Sequence, residues 1–396
     1  MQRAGFAELP LHTGKTPRWL FHRMRKLTKE ICRIIVDEYG SHELLKRLSN
    51  PFFFQALACV IGFDWHSSGT TTTTCGALKT ALNSMTDTSS QIFVAGGKGI
   101  ISKKTPSELL SINTHLESDF SEQEIFNFIR ASRLSAKVDN AVIQDTFHLY
   151  HHCFLIDSLG NYTIIQQGMN EKWARRYHWT SEQSRVRKKR GSFSEQPRDL
   201  IACDQVIDKT LDLTAEQSEQ TRHCILDLIN DNPVHLRKYI LKKKRGILSL
   251  DLFLDSKTDI TNRKRSSRLP MPARHHILPI DLGDSEFQVL LSAYERQPSQ
   301  FDELIEIQGM GPKKVRALSL VSELIFGTNV SWKDPVKYSF AHGGKDGIPF
   351  PVDRNVYDST INTLRSAIDN SRIANKSQIN ALKKLSNFST RINQKC

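Results

Sequence analysis

No apolar run in the chain approaches the roughly 20 residues that a membrane-spanning helix needs. The first residues, MQRAGFAELP, contain no hydrophobic segment of the kind that directs secretion, so a cytoplasmic location and no membrane partner are expected. Cysteine is sparse and scattered: seven residues, at 32, 59, 75, 153, 203, 224 and 396, with no CxxC among them. An odd number at such spacings argues against a disulfide framework and against a zinc knuckle. Neither HExxH nor DxD occurs, and no segment repeats. Together these absences argue against a membrane-spanning helix and a disulfide scaffold.

What is present is a chain of 396 residues with 39% hydrophobic content, long enough for two or three domains with cores of their own. Fifty-five Lys and Arg against 42 Asp and Glu leave a net charge of +13, and a polyanion would gain counterion-release free energy on such a surface. The excess is concentrated in RVRKKR (185–190), KKKR (242–245) and RKRSSR (263–268), which makes Lys188, Lys189 and Arg190 candidate DNA contacts.

Helical spacing runs through PRWLFHRMRKLTKEICRIIVDEYG, with Gly40 as a stop, and SHELLKRLSNP reads as a short second helix capped by Ser41. FFFQALACVIGFDW is expected to pass from helix into strand. HSSGTTTTTCGALKTAL reads as a hydroxyl-rich loop followed by a helix, and QIFVAGGKG as a strand ending in a glycine turn. A helical stretch over 121–149 leads into a hairpin, CFLID followed by YTIIQ. The alternation predicts a mixed α/β domain over 1–180, a basic linker over 181–200 and a helical region over 201–396.

The sharpest motif is FDELIEIQGMGPKKVRALSLVSELIFG (301–327). It resembles the helix-hairpin-helix module of DNA repair and recombination proteins. Gly309 and Gly311 let the backbone turn tightly and approach a phosphate with no Cβ in the way. N–H groups at the start of the second helix favour an anion, and Lys313, Lys314 and Arg316 add charge. Such contacts grip a backbone without reading sequence. Further on, PVDRNVYDSTI resembles the segment that follows this hairpin in base-excision glycosylases; that likeness would give Asp353 a catalytic part and make Lys313 a lyase nucleophile. The simpler reading of Asp353 is a helix N-cap.

A second constellation gathers polar groups at the ends of apolar strands: Asp64 and His66, Lys98, His151 and His152, Gln166, Gln167 and Asn170, then Arg175, Arg176 and His178. Imidazole, ammonium, guanidinium, amide and hydroxyl groups are the inventory for holding and attacking a phosphodiester. HHCFLID followed by GMN resembles the phospholipase D-type signature. That likeness implies a phospholipase D-like topology, His151 or His152 as a nucleophile forming a phosphohistidine without metal, and a homodimer to complete the site; Asp157 or Asp64 would orient the histidine. An alternative reading is a Mg or Mn site drawn from Asp64, His66, Asp145, His148 and His152.

AELPLHTGK, GFDWHSSGTTT, VAGGKG, LYHHCF, QQGMN, ARRYHW, GMGPKKVRALSLV and AHGGKDGIPFPVDR together resemble the domain-of-unknown-function 763 family of bacteria and archaea over most of the chain. The resemblance implies a domain layout and no activity. The sequence therefore predicts an α/β N-terminal domain joined to an all-α region carrying a helix-hairpin-helix. The expected function is DNA binding with phosphodiester cleavage; a non-catalytic DNA-binding scaffold and a Lys313 lyase are the competing readings.

Overall fold

The computed structural model describes residues 16–62, 68–85, 91–181, 193–195, 200–203, 205–236, 283–337, 354–370 and 375–393. Its centre is a five-stranded antiparallel sheet built from β1 (Ile92–Lys98), β3 (His148–Asp157), β4 (Tyr162–Met169), β5 (Ala174–Thr180) and β6 (Ile201–Ala202), paired in that order. A separate two-stranded ladder joins β2 (Ile143–Gln144) to β7 (Leu211–Asp212).

The β3–β4 hairpin forms where the β-branched and aromatic residues predict it. Its turn is fixed by the Asp157 carboxylate, which accepts from the N–H groups of Leu159 (3.0 Å) and Asn161 (2.9 Å) and from Ser41 Oγ (3.1 Å). Asp157 is thus spent on the turn and does not orient a histidine.

Successive side chains of a strand face opposite ways, and helices cover both faces of this sheet. One face carries Ile92, Val94, Cys153, Leu155 and Ile165 into a core with α1 (Arg18–Ser49), α2 (Pro51–Ile61) and α3 (Gly69–Leu82). The other carries Phe93, Phe154, Ile156, Ile164, Tyr177 and Trp179 into a second core. There they meet α6 (Glu122–Lys137), which follows the short α4 (Thr105–Leu109) and α5 (Ile112–Leu116), and then α7 (Glu219–Asn230), α8 (Asp284–Arg296), α9 (Phe301–Glu306) and α10 (Pro312–Phe326). The last helices, α11 (Arg354–Asp369) and α12 (Asn375–Asn393), return to the first core through Ile361, Leu364, Ile368 and Leu385. Each core therefore draws on chain from both sides of 181–200.

Local signals act as written in several places. α1 breaks at Gly40 (φ 86°, ψ 163°). Asn50 caps α2 by accepting from Phe52 N at 2.8 Å, with Pro51 at the first helical position. Ser121 and Glu124 form a reciprocal capping box at the start of α6.

Three expectations are corrected. The apolar run 51–61 is helix throughout, and the FDW end of the expected strand lies outside the described residues; every residue of 51–61 but Cys59 is buried, so packing on all sides erases the periodicity that identifies a helix. The threonine run lies inside α3, with Thr70, Thr71 and Thr74 buried, and is no loop. The region after 201 is not all helical: β6 completes the sheet edge and β7 pairs with β2 before α7 begins.

Candidate functional site

The two adjacent histidines of β3 follow the strand rule and part company. His152 faces the α6 side. Its Nδ1 lies 3.0 Å from Gln166 Oε1 and its Nε2 lies 2.9 Å from Ser132 Oγ, so both ring nitrogens are used. Gln166 Nε2 in turn donates to Asp139 Oδ2 (2.8 Å), which also accepts from Trp179 Nε1 (2.7 Å). Burial lowers the His152 pKa to about 4, opposed by the Gln166 hydrogen bond. This is a closed buried network that fixes a neutral imidazole between helix and sheet. It leaves the ring no free lone pair for attack on phosphorus.

His151 faces the α1–α3 side, where it is 1% exposed and, among the described residues, neither ring nitrogen has a hydrogen-bond partner. Burial first, then the fields of His152, Lys98 and Arg176, lower its pKa to about 3, so the ring is neutral. Cys153, two residues along the same strand face, and Cys75 from the middle of α3 complete a group. The ligating atoms of these three residues lie within 4.8 Å of one another, and all three residues are buried.

Beside them Gln167 accepts from Thr71 Oγ1 and donates to Ser68 O (2.7 Å) and to the Tyr150 hydroxyl. Arg176 donates from Nε to Thr71 Oγ1 and from Nη2 to Gln55 Oε1, each at 2.9 Å, with its guanidinium 4.6 Å from the Phe54 ring centroid. His178 lies on the same face, with Nδ1 3.2 Å from Leu48 O. The α1–α3 face of the sheet therefore gathers His151, Gln167, Arg176 and His178, while His152 and Gln166 belong to the opposite face.

The remaining expected residues have other work. Lys98 is exposed, with its ammonium 5.8 Å from the Tyr150 ring centroid. Asn170 accepts from Lys172 N (3.0 Å) and Trp173 N (2.7 Å) and so shapes the β4–β5 turn.

Arg175, expected on DNA, is fully buried between two carboxylates: Asp145 at 3.0 Å and Asp334 at 2.6 Å. One guanidinium shared by two acids leaves the second underpaired. Burial, assisted by Asp334 and opposed by Arg175 and the Tyr177 hydroxyl, pushes Asp145 up to about 6. That commitment also removes Asp145 from any metal set with His148 and His152. Asp64, His66, Lys188, Lys189, Arg190 and Asp353 lie outside the described residues.

A second locus is the turn between α9 and α10. Gly309 adopts φ 88°, and a Cβ there would meet Val289 Cγ2 at 3.0 Å. Gly311 caps the 15-residue α10, with Pro312 at the first helical position. The N–H groups of Gly311 and Lys313 have no backbone acceptor among the described residues, as orphan donors of a first turn. Lys313 is exposed, whereas Lys314 and Arg316 are buried; Arg316 Nη1 lies 3.4 Å from Gln144 Oε1.

Around this turn α6 presents Arg130, Arg133 and Lys137 at helical spacing. Lys137 Nζ donates to Met310 O (2.8 Å), and Arg130 pairs with Glu306 (3.0 Å). Burial and then the neighbouring Lys314 lower the Lys137 pKa, with Glu306 opposing. Burial lowers that of Lys314 too, with Glu286 opposing and Lys313 adding to the shift. Burial is the main cause of both shifts, and the lysine neighbours add to it, so several ammonium groups lie close to the orphan N–H groups.

Sequence reasoning missed the α6 contribution, although the spacing of Arg130, Arg133 and Lys137 was readable. It also missed the Cys75–His151–Cys153 group. Only the His-x-Cys half of that group carries a local signal.

Fold and loci together define a mixed α/β protein with a helix-covered antiparallel sheet and a basic glycine turn. The chain matches the family model described as "Protein of unknown function (DUF763)" over residues 5–352, and it belongs to that family. No curated protein and no solved structure matches it. No helix among the described residues is long and apolar enough to cross a membrane.

Proposed function

We propose that the chain binds the sugar-phosphate backbone of DNA at the α9–α10 turn, as a helix-hairpin-helix does, without reading base sequence. The observation that carries this reading is the coincidence of three things at one place. The first turn of α10 offers N–H donors with no backbone acceptor among the described residues, Gly309 makes the left-handed turn while Gly311 leaves the approach clear of a side chain, and Lys137, Lys313 and Lys314 supply positive charge. A phosphate oxygen would accept from the Gly311 and Lys313 N–H groups along the favourable end of the helix dipole. The net charge of +13 adds long-range attraction that salt weakens.

Cleavage by the paired histidines is left out of this reading. Each ring is buried, and both nitrogens of His152 are already bonded, so neither imidazole is presented to a phosphodiester at the surface.

The test is binding of labelled single-stranded and duplex DNA to the full chain over a range of salt. Lys313→Glu should weaken affinity and lower the salt slope by about 1 to 2. The control is Lys172→Glu, which makes the same charge change at an exposed site in the β4–β5 turn. Equal losses in the two variants would reduce the turn to a share of general charge. A wild-type chain that ignores DNA at low ionic strength would end the proposal. Borohydride trapping on abasic DNA separates gripping from Lys313 lyase chemistry, which alone yields a covalent adduct.

A further inference from the structure

We propose that Cys75, His151 and Cys153 bind one soft d10 metal ion, zinc(II) or copper(I), between α3 and the sheet. The donors come from two elements and meet because of their positions in them. His151 and Cys153 are two apart on β3 and so share its α1–α3 face, and α3 lays Cys75 over them. Thiolate and imidazole are the ligand types that select zinc and copper(I) over magnesium or manganese. Metal–sulfur bonds of about 2.3 Å and metal–nitrogen bonds of about 2.0 Å put tetrahedral ligand atoms roughly 3.5 Å apart. Atoms already within 4.8 Å of one another close on an ion through side-chain movement alone.

A plain core explains part of this group and fails on the rest. Buried free cysteines commonly serve as small apolar residues, which would account for Cys75 and Cys153. It does not account for His151, because a buried ring with both nitrogens unpaired costs about 1–3 kcal/mol for each unsatisfied group. His152 next door has both nitrogens bonded, and His178 on the same face as His151 bonds Leu48 O through Nδ1, whereas His151 has neither nitrogen bonded among the described residues. A metal gives one His151 nitrogen the partner it lacks.

Binding breaks two S–H bonds and sends two protons to solvent; two metal–sulfur bonds and one metal–nitrogen bond form, with no change of oxidation state. Zinc with two thiolates is neutral overall and keeps a fourth position for water. Copper(I) is satisfied by three donors and carries one negative charge, which the Arg176 guanidinium, whose field reaches both Cys75 and His151, would balance. The site is independent of the DNA-binding turn, which lies on the other side of the sheet.

The test uses the full chain produced in zinc-supplemented and, separately, copper-supplemented medium, desalted without chelator and assayed for metal per chain. About one equivalent of one of the two metals is expected, falling to background in Cys75→Ala and in Cys153→Ala. Because a buried substitution can compromise folding, metal-edge X-ray absorption on the wild-type chain supplies a readout that needs no variant. It should count two sulfur neighbours and one imidazole. Absence of stoichiometric metal under both supplements, a shell of oxygen and nitrogen alone, metal retained when both cysteines are replaced, or a Cys75–Cys153 disulfide in the purified chain would each overturn the assignment.

Discussion

Arg175 sits between Asp145 and Asp334, and the shortage of positive charge there predicts an unusual pH response. Asp145 holds its proton up to about 6 in the fold, against 3.8 for the free side chain. Between those values the folded chain binds more protons than the unfolded one. Stability from this group is therefore greatest at low pH and declines as pH rises through the window. At about 1.4 kcal/mol per pH unit, the ionisation costs the fold about 3 kcal/mol by pH 7. Asp145→Asn removes the ionisation and keeps an acceptor for the Tyr177 hydroxyl, which donates to Asp145 Oδ2 at 2.7 Å. The variant should therefore gain on wild type by about 2 kcal/mol between pH 4 and pH 7. Asp334→Asn should behave differently. Asp334 grips Arg175 with both oxygens (2.8 and 2.6 Å) and also accepts from Ile207 N and Val336 N, so its loss strips the guanidinium of its better partner. That change should cost about 3–5 kcal/mol at pH 7. Urea midpoints for the three proteins at pH 4, 5.5 and 7 measure both effects. If Asp145→Asn instead loses ground as pH rises, the carboxylate is stabilising in its charged form and the shared-guanidinium reasoning is wrong.

Gly309→Ala forces a side chain into the left-handed region and against Val289; it should cost about 1–2 kcal/mol in a thermal melt and weaken DNA binding with it. Gly96→Ala should be worse, about 3 kcal/mol, because its Cβ would lie 2.2 Å from His152 O and 2.5 Å from Thr105 Oγ1. A melt unchanged from wild type would mean β1 does not approach β3 this closely. Lys137→Met removes one charge from the turn pocket at the cost of one hydrogen bond to Met310 O. Fluorescence anisotropy should report weaker DNA affinity and a salt slope lower by about 1; an unchanged slope would remove α6 from the interface.

What the sequence makes legible is local. Gly40, Asn50-Pro51 and the Ser121–Glu124 pair punctuate helices through contacts within a few residues, and the hairpin is visible in the side chains of CFLID and YTIIQ. The glycines at 309 and 311 do fall between two helices, with Lys313 exposed just beyond them. The polar groups near the strands were misread because their partners are remote. Arg175 looks like a phosphate ligand until Asp334, 159 residues away, is placed beside it. Arg176 meets Gln55 and Thr71 across separations of 121 and 105 residues. His151 and His152 read as a pair at a strand mouth. The period of two in a strand already sends neighbours to opposite faces, but only the helices packed on both sides show that neither face is wet. Cys75 carries no signal at all, because α3 has to fold onto the sheet before it meets His151.

The return of α11 and α12 to the first core has a consequence for biogenesis. Met24, Ile31, Leu44 and Phe54 leave the ribosome some 300 residues before Leu364 and Leu385, the side chains that share their core. Throughout that interval the earliest helices present an apolar flank with no permanent cover. Translation halted before Arg354 would release a polypeptide with that flank still open, lacking the Ile361, Leu364, Ile368 and Leu385 side chains that close it.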